Sequence, residues 1–115
     1  MKAVLFDYGA GNLHSLSRAL VHLGHTVAVT TDVMTPVDLL VLPGVGAFGL
    51  AAGRLAPARD ALRHRIGEGQ AVLGICLGMQ LLFDGSEEDP STENRGMGVF
   101  AGRVTRLGGR RVPHI

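Results

Sequence analysis

Residues 71–83 read AVLGICLGMQLLF, and this stretch decides the fold. Ala71 to Ile75 is a short apolar run suited to a buried strand. Leu77 to Phe83 reads as a helix that begins at once. Between them, Gly74-Ile75-Cys76-Leu77-Gly78 has the form G-x-C-x-G, the thiol counterpart of the G-x-S-x-G nucleophile elbow. A strand that turns sharply into a helix strains the backbone of the residue at the bend and brings the flanking chain close. Glycines two positions away on each side remove the side chains that would collide. A thiol at a helix N-terminus meets free N–H groups and a dipole that favour thiolate. The N–H of Leu77 is placed to meet a developing oxyanion. A lone cysteine is most often a small buried hydrophobe. The strand before Cys76, the helix after it and the paired glycines turn the reading toward a nucleophile.

The same alternation extends upstream. Lys2 to Phe6 reads as a buried strand, and Asp7 to Gly11 as a Gly-rich turn. Asn12 is a helix N-cap, followed by Leu13, Leu16, Leu20 and Leu23 at helical spacing, with Gly24 as the stop. Thr26 to Thr30 and Val37 to Leu42 read as two further strands, the latter ending at Pro43-Gly44. Ala47 to Gly67 is helical in composition, with interruptions expected at Gly53 and Pro57. This order predicts an α/β domain with a mostly parallel sheet and helices on both faces. The turns 7–11, 43–49 and 74–78 each follow a strand, so all three should share the carboxyl edge, where such sheets build their sites. Downstream, Asp84 to Arg95 reads as a polar surface loop and Val99 to Leu107 as a strand, which Gly108-Gly109 turns into Arg110 to Ile115.

Composition narrows the function. The 115 residues suit one domain. Eleven Lys and Arg against ten Asp and Glu leave a net charge of +1, which gives no electrostatic reason to expect nucleic acid or an anionic membrane. No apolar run approaches the roughly 20 residues of a spanning helix. The opening MKAVLFDYGAGN is too short in its apolar part for a signal peptide, and one cysteine cannot form an internal disulfide, so the protein reads as cytoplasmic. No residue set has metal-ligand spacing. Gly9 and Gly11 lack the third glycine and the later acid of a dinucleotide fingerprint, and no cofactor is expected. Arg59, Arg63 and Arg65 read as a solvated helix face, as do His14, His22 and His25 on or beside the first helix and His64 among the arginines.

GICLGMQLLF, residues 74–83, resembles the nucleophile motif of the class I (triad-type) glutamine amidotransferases. DYGAGNLHS (7–15), LPGVGAFG (42–49) and GMGVFAGRVTRLGGRRVPHI (96–115) are similar to one branch, the glutaminase subunits of imidazole glycerol phosphate synthases of histidine biosynthesis. The resemblance covers nearly the whole chain and implies a flavodoxin-like fold. It implies hydrolysis of glutamine to glutamate and ammonia through a thioester on Cys76. The ammonia would pass, within a heterodimer, to a (β/α)8-barrel synthase (cyclase) subunit that forms imidazole glycerol phosphate and aminoimidazole carboxamide ribotide. By the same resemblance, Gly44, Val45 and Gly46 match the oxyanion turn and Leu77 supplies the second donor. Gln80 matches a contact to bound glutamine, Glu88 a partner for its α-ammonium, and Asn12 lies on the turn that faces the synthase. Glycines on both sides of Val45 let the Gly44–Val45 peptide reverse at low cost, so the turn is expected to have an on and an off orientation.

The family's triad also needs a His and a Glu two residues apart near the C-terminus. None of His14, His22, His25, His64 and His114 is followed by such a Glu. The domain is therefore expected to be incomplete at its C-terminus, and the 115 residues by themselves to be inactive. Two other functions fit parts of the pattern: a glutaminase for a CTP- or GMP-type synthase, and a non-catalytic module that docks a synthase. Val45 and the DYGAGN opening point away from the first, and a His-x-Glu pair would exclude the second.

Overall fold

Lys2–Phe6 forms β1, and every residue after Lys2 in it is buried. A strand buried on both faces belongs in the middle of a parallel sheet, which explains its unbroken apolar run. The computed structural model describes residues 1–32, 36–89 and 94–107. Parallel to β1 run β2 (Thr26–Thr30) on one side and β3 (Leu39–Leu42) on the other, and β4 (Val72–Gly74) pairs in parallel with β3. The order β2-β1-β3-β4 is that of a flavodoxin-like sheet. After β1 the chain leaves toward β2, and after β2 it crosses to β3 on the opposite side. That reversal opens a crevice at the carboxyl ends of β1 and β3.

Alternate residues of β1 serve two separate cores, as the period of a strand requires. Ala3 and Leu5 pack with Val41 against Leu20 of α1 (Leu13–His22). Val4 and Phe6 pack with Leu40 and Leu42 against α2 (Phe48–Leu55) and α3 (Arg59–Gly67), through Phe48, Ala51, Ala52, Leu55 and Leu62. Helix α1 starts where Asn12 accepts a hydrogen bond from the Ser15 N–H at 3.2 Å, and it stops at Gly24, whose φ is +91°.

Several expectations need correction. The third strand starts at Leu39, two residues later than Val37. Gly53 does not interrupt α2; the break comes at Pro57, inside a 3₁₀ turn of residues Ala56–Ala58. Arg65 is buried rather than solvated, and its guanidinium donates to the Gln70 side chain. The helix expected over 77–83 is one turn long, α4 (Leu77–Gln80). Beyond it the Leu82 and Phe83 N–H groups bond three residues back, to Met79 and Gln80, at 3.1 Å each, and the carbonyls of Leu81, Leu82, Phe83 and Asp84 accept N–H groups of Met97, Phe100, Gly98 and Gly96, at 2.7, 3.0, 3.1 and 2.9 Å. Those same bonds take residues 96–100 out of the strand expected over 99–107. Only β6 (Arg103–Val104) remains, pairing in parallel with β5 (Gly85–Ser86), and Ser86 is buried rather than lying on a surface loop. The Gly108-Gly109 turn, His114 and residues 90–93 of the acidic loop lie outside the described residues.

Candidate active site at the carboxyl edge

The three Gly-rich turns meet at one edge, and glycines make the meeting possible. A methyl group on Gly78 would overlap the Leu42 carbonyl oxygen and sit 2.9 Å from that of Pro43. One on Gly44 would lie 2.7 Å from the Gly78 nitrogen and 2.8 Å from the Tyr8 hydroxyl. One on Gly11 would lie 2.8 Å from Pro43 Cβ. Turn 7–11 therefore packs on turn 43–46, and turn 43–46 packs on the start of α4. Because Gly78 is walled by backbone, Gly78→Ala is expected to cost about 3 kcal/mol or more, the upper range of overpacking. The urea midpoint of the complete protein reads this directly, and an unchanged midpoint would show that the close approach is not needed.

Cys76 follows β4 by two residues and caps α4. Its φ is +55° and its ψ −119°, and among the described residues no other non-glycine has a positive φ. That conformation costs on the order of 1–3 kcal/mol and persists because the packed turns impose it. The side chain is exposed as a free thiol. Since α4 is a single turn, few peptide dipoles align behind the thiol, fewer than a helix reaching Phe83 would supply.

The residues expected to supply the oxyanion donors lie at the same edge as the thiol. The Leu77 N–H donates to the Gly44 carbonyl oxygen at 3.3 Å. That carbonyl and the Val45 N–H belong to one planar trans peptide, so the Val45 N–H points away from Leu77. In this arrangement the Leu77 N–H is occupied and the Val45 N–H is directed away from it. Val45 is exposed, and Gly46 has a φ of +97°.

Gln80 follows Cys76 by one helical turn and donates its backbone N–H to the Cys76 carbonyl at 3.2 Å. Gln80 and Glu88 line the same cavity, of about 640 Å³, together with Ser86, Glu87, Val104, Thr105 and Arg106. The Glu88 carboxylate accepts the N–H of Phe48, the first residue of α2, at 3.4 Å, and its own N–H donates to Ser86 Oγ at 3.1 Å. Glu87 accepts the Arg106 N–H at 3.0 Å. Asn12 is exposed on the turn that packs against Pro43. The described histidines stand elsewhere. His14 and His22 are exposed on α1, His25 meets the N-terminal amine at 3.4 Å, and His64 pairs with Glu68 at 3.2 Å.

Two residues of the site escaped the sequence reading. Tyr8 is buried, donates its hydroxyl to the Pro43 carbonyl, and is pushed up to about 12 by burial, so it stays protonated over any working pH. Arg54 reaches from α2 to the Gly9 carbonyl. The one available signal was an aromatic hydroxyl set among glycines directly after a buried strand.

The family model described as "Glutamine amidotransferase class-I" matches residues 4–111. This chain belongs to the class I glutamine amidotransferases. Among curated members similar to it is the imidazole glycerol phosphate synthase subunit HisH of Pyrococcus furiosus, 44% identical over 99% of this chain and 56% of that protein. Those of Thermus thermophilus and Aquifex aeolicus are 44% and 46% identical over the whole chain and 59% and 58% of their own lengths. The chain thus spans a little over half the length of the amidotransferases it matches.

Proposed function

We propose that the complete protein hydrolyses glutamine to glutamate and ammonia, with Cys76 carrying the γ-glutamyl group as a thioester. The observation that carries this reading is the exposed thiol at a strained elbow, held against a glycine turn whose Gly44 carbonyl accepts the Leu77 N–H. The thiolate attacks the carboxamide carbon, a C–S bond forms, and the carbonyl oxygen becomes an oxyanion held by backbone N–H groups. Collapse expels ammonia, which takes its proton from the His of the family's His-x-Glu pair. Water then cleaves the thioester and frees glutamate. Gln80 and Glu88 hold the amino-acid end, Glu88 by pairing with the α-ammonium.

The printed name of the similar proteins supports the histidine-pathway branch. On that reading, the ammonia passes to a (β/α)8-barrel synthase subunit docked over the turn that carries Asn12, in the cytoplasm. The test is covalent trapping with a diazoketone analogue of glutamine, read by peptide mass spectrometry. A single adduct on Cys76, suppressed by excess glutamine, is the expected result. An adduct elsewhere, or none, would overturn the reading.

A further inference from the structure

We infer that Tyr8 is a positioning residue for the oxyanion turn: its hydroxyl pins the Pro43 carbonyl, so that reversal is confined to the single Gly44–Val45 peptide. This inference rests on the glutaminase reading above. The anchor is rigid. Tyr8 lies two residues past β1, buried, with its ring stacked on Phe6 at a centroid distance of 5.8 Å and an interplanar angle of 22°. Its hydroxyl donates to Pro43 and fills the space where a side chain on Gly44 would go. Pro43 has a fixed φ and no N–H, so its carbonyl is the only backbone handle by which its peptide can be held. Gly11 packs against the proline ring.

The downstream end of the turn is held as well, because the Phe48 N–H is tied to Glu88. Between these two anchors stand Gly44, Val45, Gly46 and Ala47. An oxyanion donor has to arrive within about 2.7–3.1 Å of the reacting oxygen. A peptide that reverses can land that accurately only if the peptide before it does not move. Without the phenol, the buried Pro43 carbonyl would have to turn toward another donor, carrying Gly44 with it. The hydroxyl is spent on the Pro43 carbonyl beside Gly44, so its effect falls on the placement of the oxyanion donor rather than on substrate binding.

Tyr8→Phe keeps the ring and removes the donor. In the complete protein, with its synthase partner and the partner's ligand saturating, glutaminase kcat is expected to fall about tenfold with little change in KM. Alkylation of Cys76 by iodoacetamide should be unchanged, because that reaction builds no oxyanion. 4-Aminophenylalanine at position 8 puts an N–H donor in the same place and should restore most of the rate. An active wild type whose Tyr8→Phe variant keeps its kcat, or loses only KM, overturns the inference alone. A Phe variant that no longer folds overturns it too, since the hydroxyl would then hold the fold rather than the turn. A wild type that releases no glutamate overturns the glutaminase reading, and the inference with it.

Discussion

Cys76→Ala in the complete protein is expected to abolish glutamine-dependent synthesis, by about 10⁴-fold or more, while synthesis from free ammonia survives. No other cysteine exists among the 115 residues to take over the attack. The elbow presents the side chain at residue 76 to solvent. The two arms of the experiment separate hydrolysis from the use of its product, because on the proposed reading a partner subunit would do the second chemistry. The fold should tolerate the change: alanine is smaller, and the positive φ is already borne by a Cβ-bearing residue. Glutamate release at the normal rate from the Ala variant would show that Cys76 is not the nucleophile. Loss of both activities would point instead to a collapsed interface.

The second large effect is that glutamate release should rise about a hundred- to thousandfold when the synthase partner and its ligand are added. The resting arrangement explains the size. With the Gly44 carbonyl aimed at the Leu77 N–H, an incoming oxyanion would meet an oxygen where it needs a donor. Reversing one peptide exchanges that oxygen for the Val45 N–H and frees Leu77, giving two donors. The flanking glycines keep the reversal inexpensive, while Val45 resists positive φ and favours discrete orientations over a continuum. A change of that size corresponds to about 3–4 kcal/mol of differential stabilisation, within reach of one docking event. Turn 7–11, which Asn12 follows, packs on Pro43, so a partner seated there would push on turn 43–46 through direct contact. Equal rates with and without the partner would remove the switch. So would a free subunit in which the Val45 N–H already faces Cys76.

What the sequence by itself determined is local and periodic. The unbroken apolar run of β1, the Asn12 cap, the Gly24 stop and the elbow around Cys76 each follow from chemistry within a few residues, and each stands where the pattern puts it. The convergence of three turns on one edge also follows, because parallel strands joined by crossovers must point the same way. Tertiary structure alone decided where α4 stops and what becomes of residues 96–107. Leu81 and Leu82 are good helix formers, yet the carbonyls from Leu81 to Phe83 are taken by residues 97–100, and no local propensity reports that competition. It alone buried Arg65 against Gln70, and it brought Gln80 and Glu88, eight positions apart, to one cavity. It also decided the orientation of the Gly44–Val45 peptide and the bond from Tyr8 to Pro43. Residues 8 and 43 are distant in sequence and meet only because β1 and β3 are neighbours in the sheet, and a hydrogen bond is set by that proximity in space.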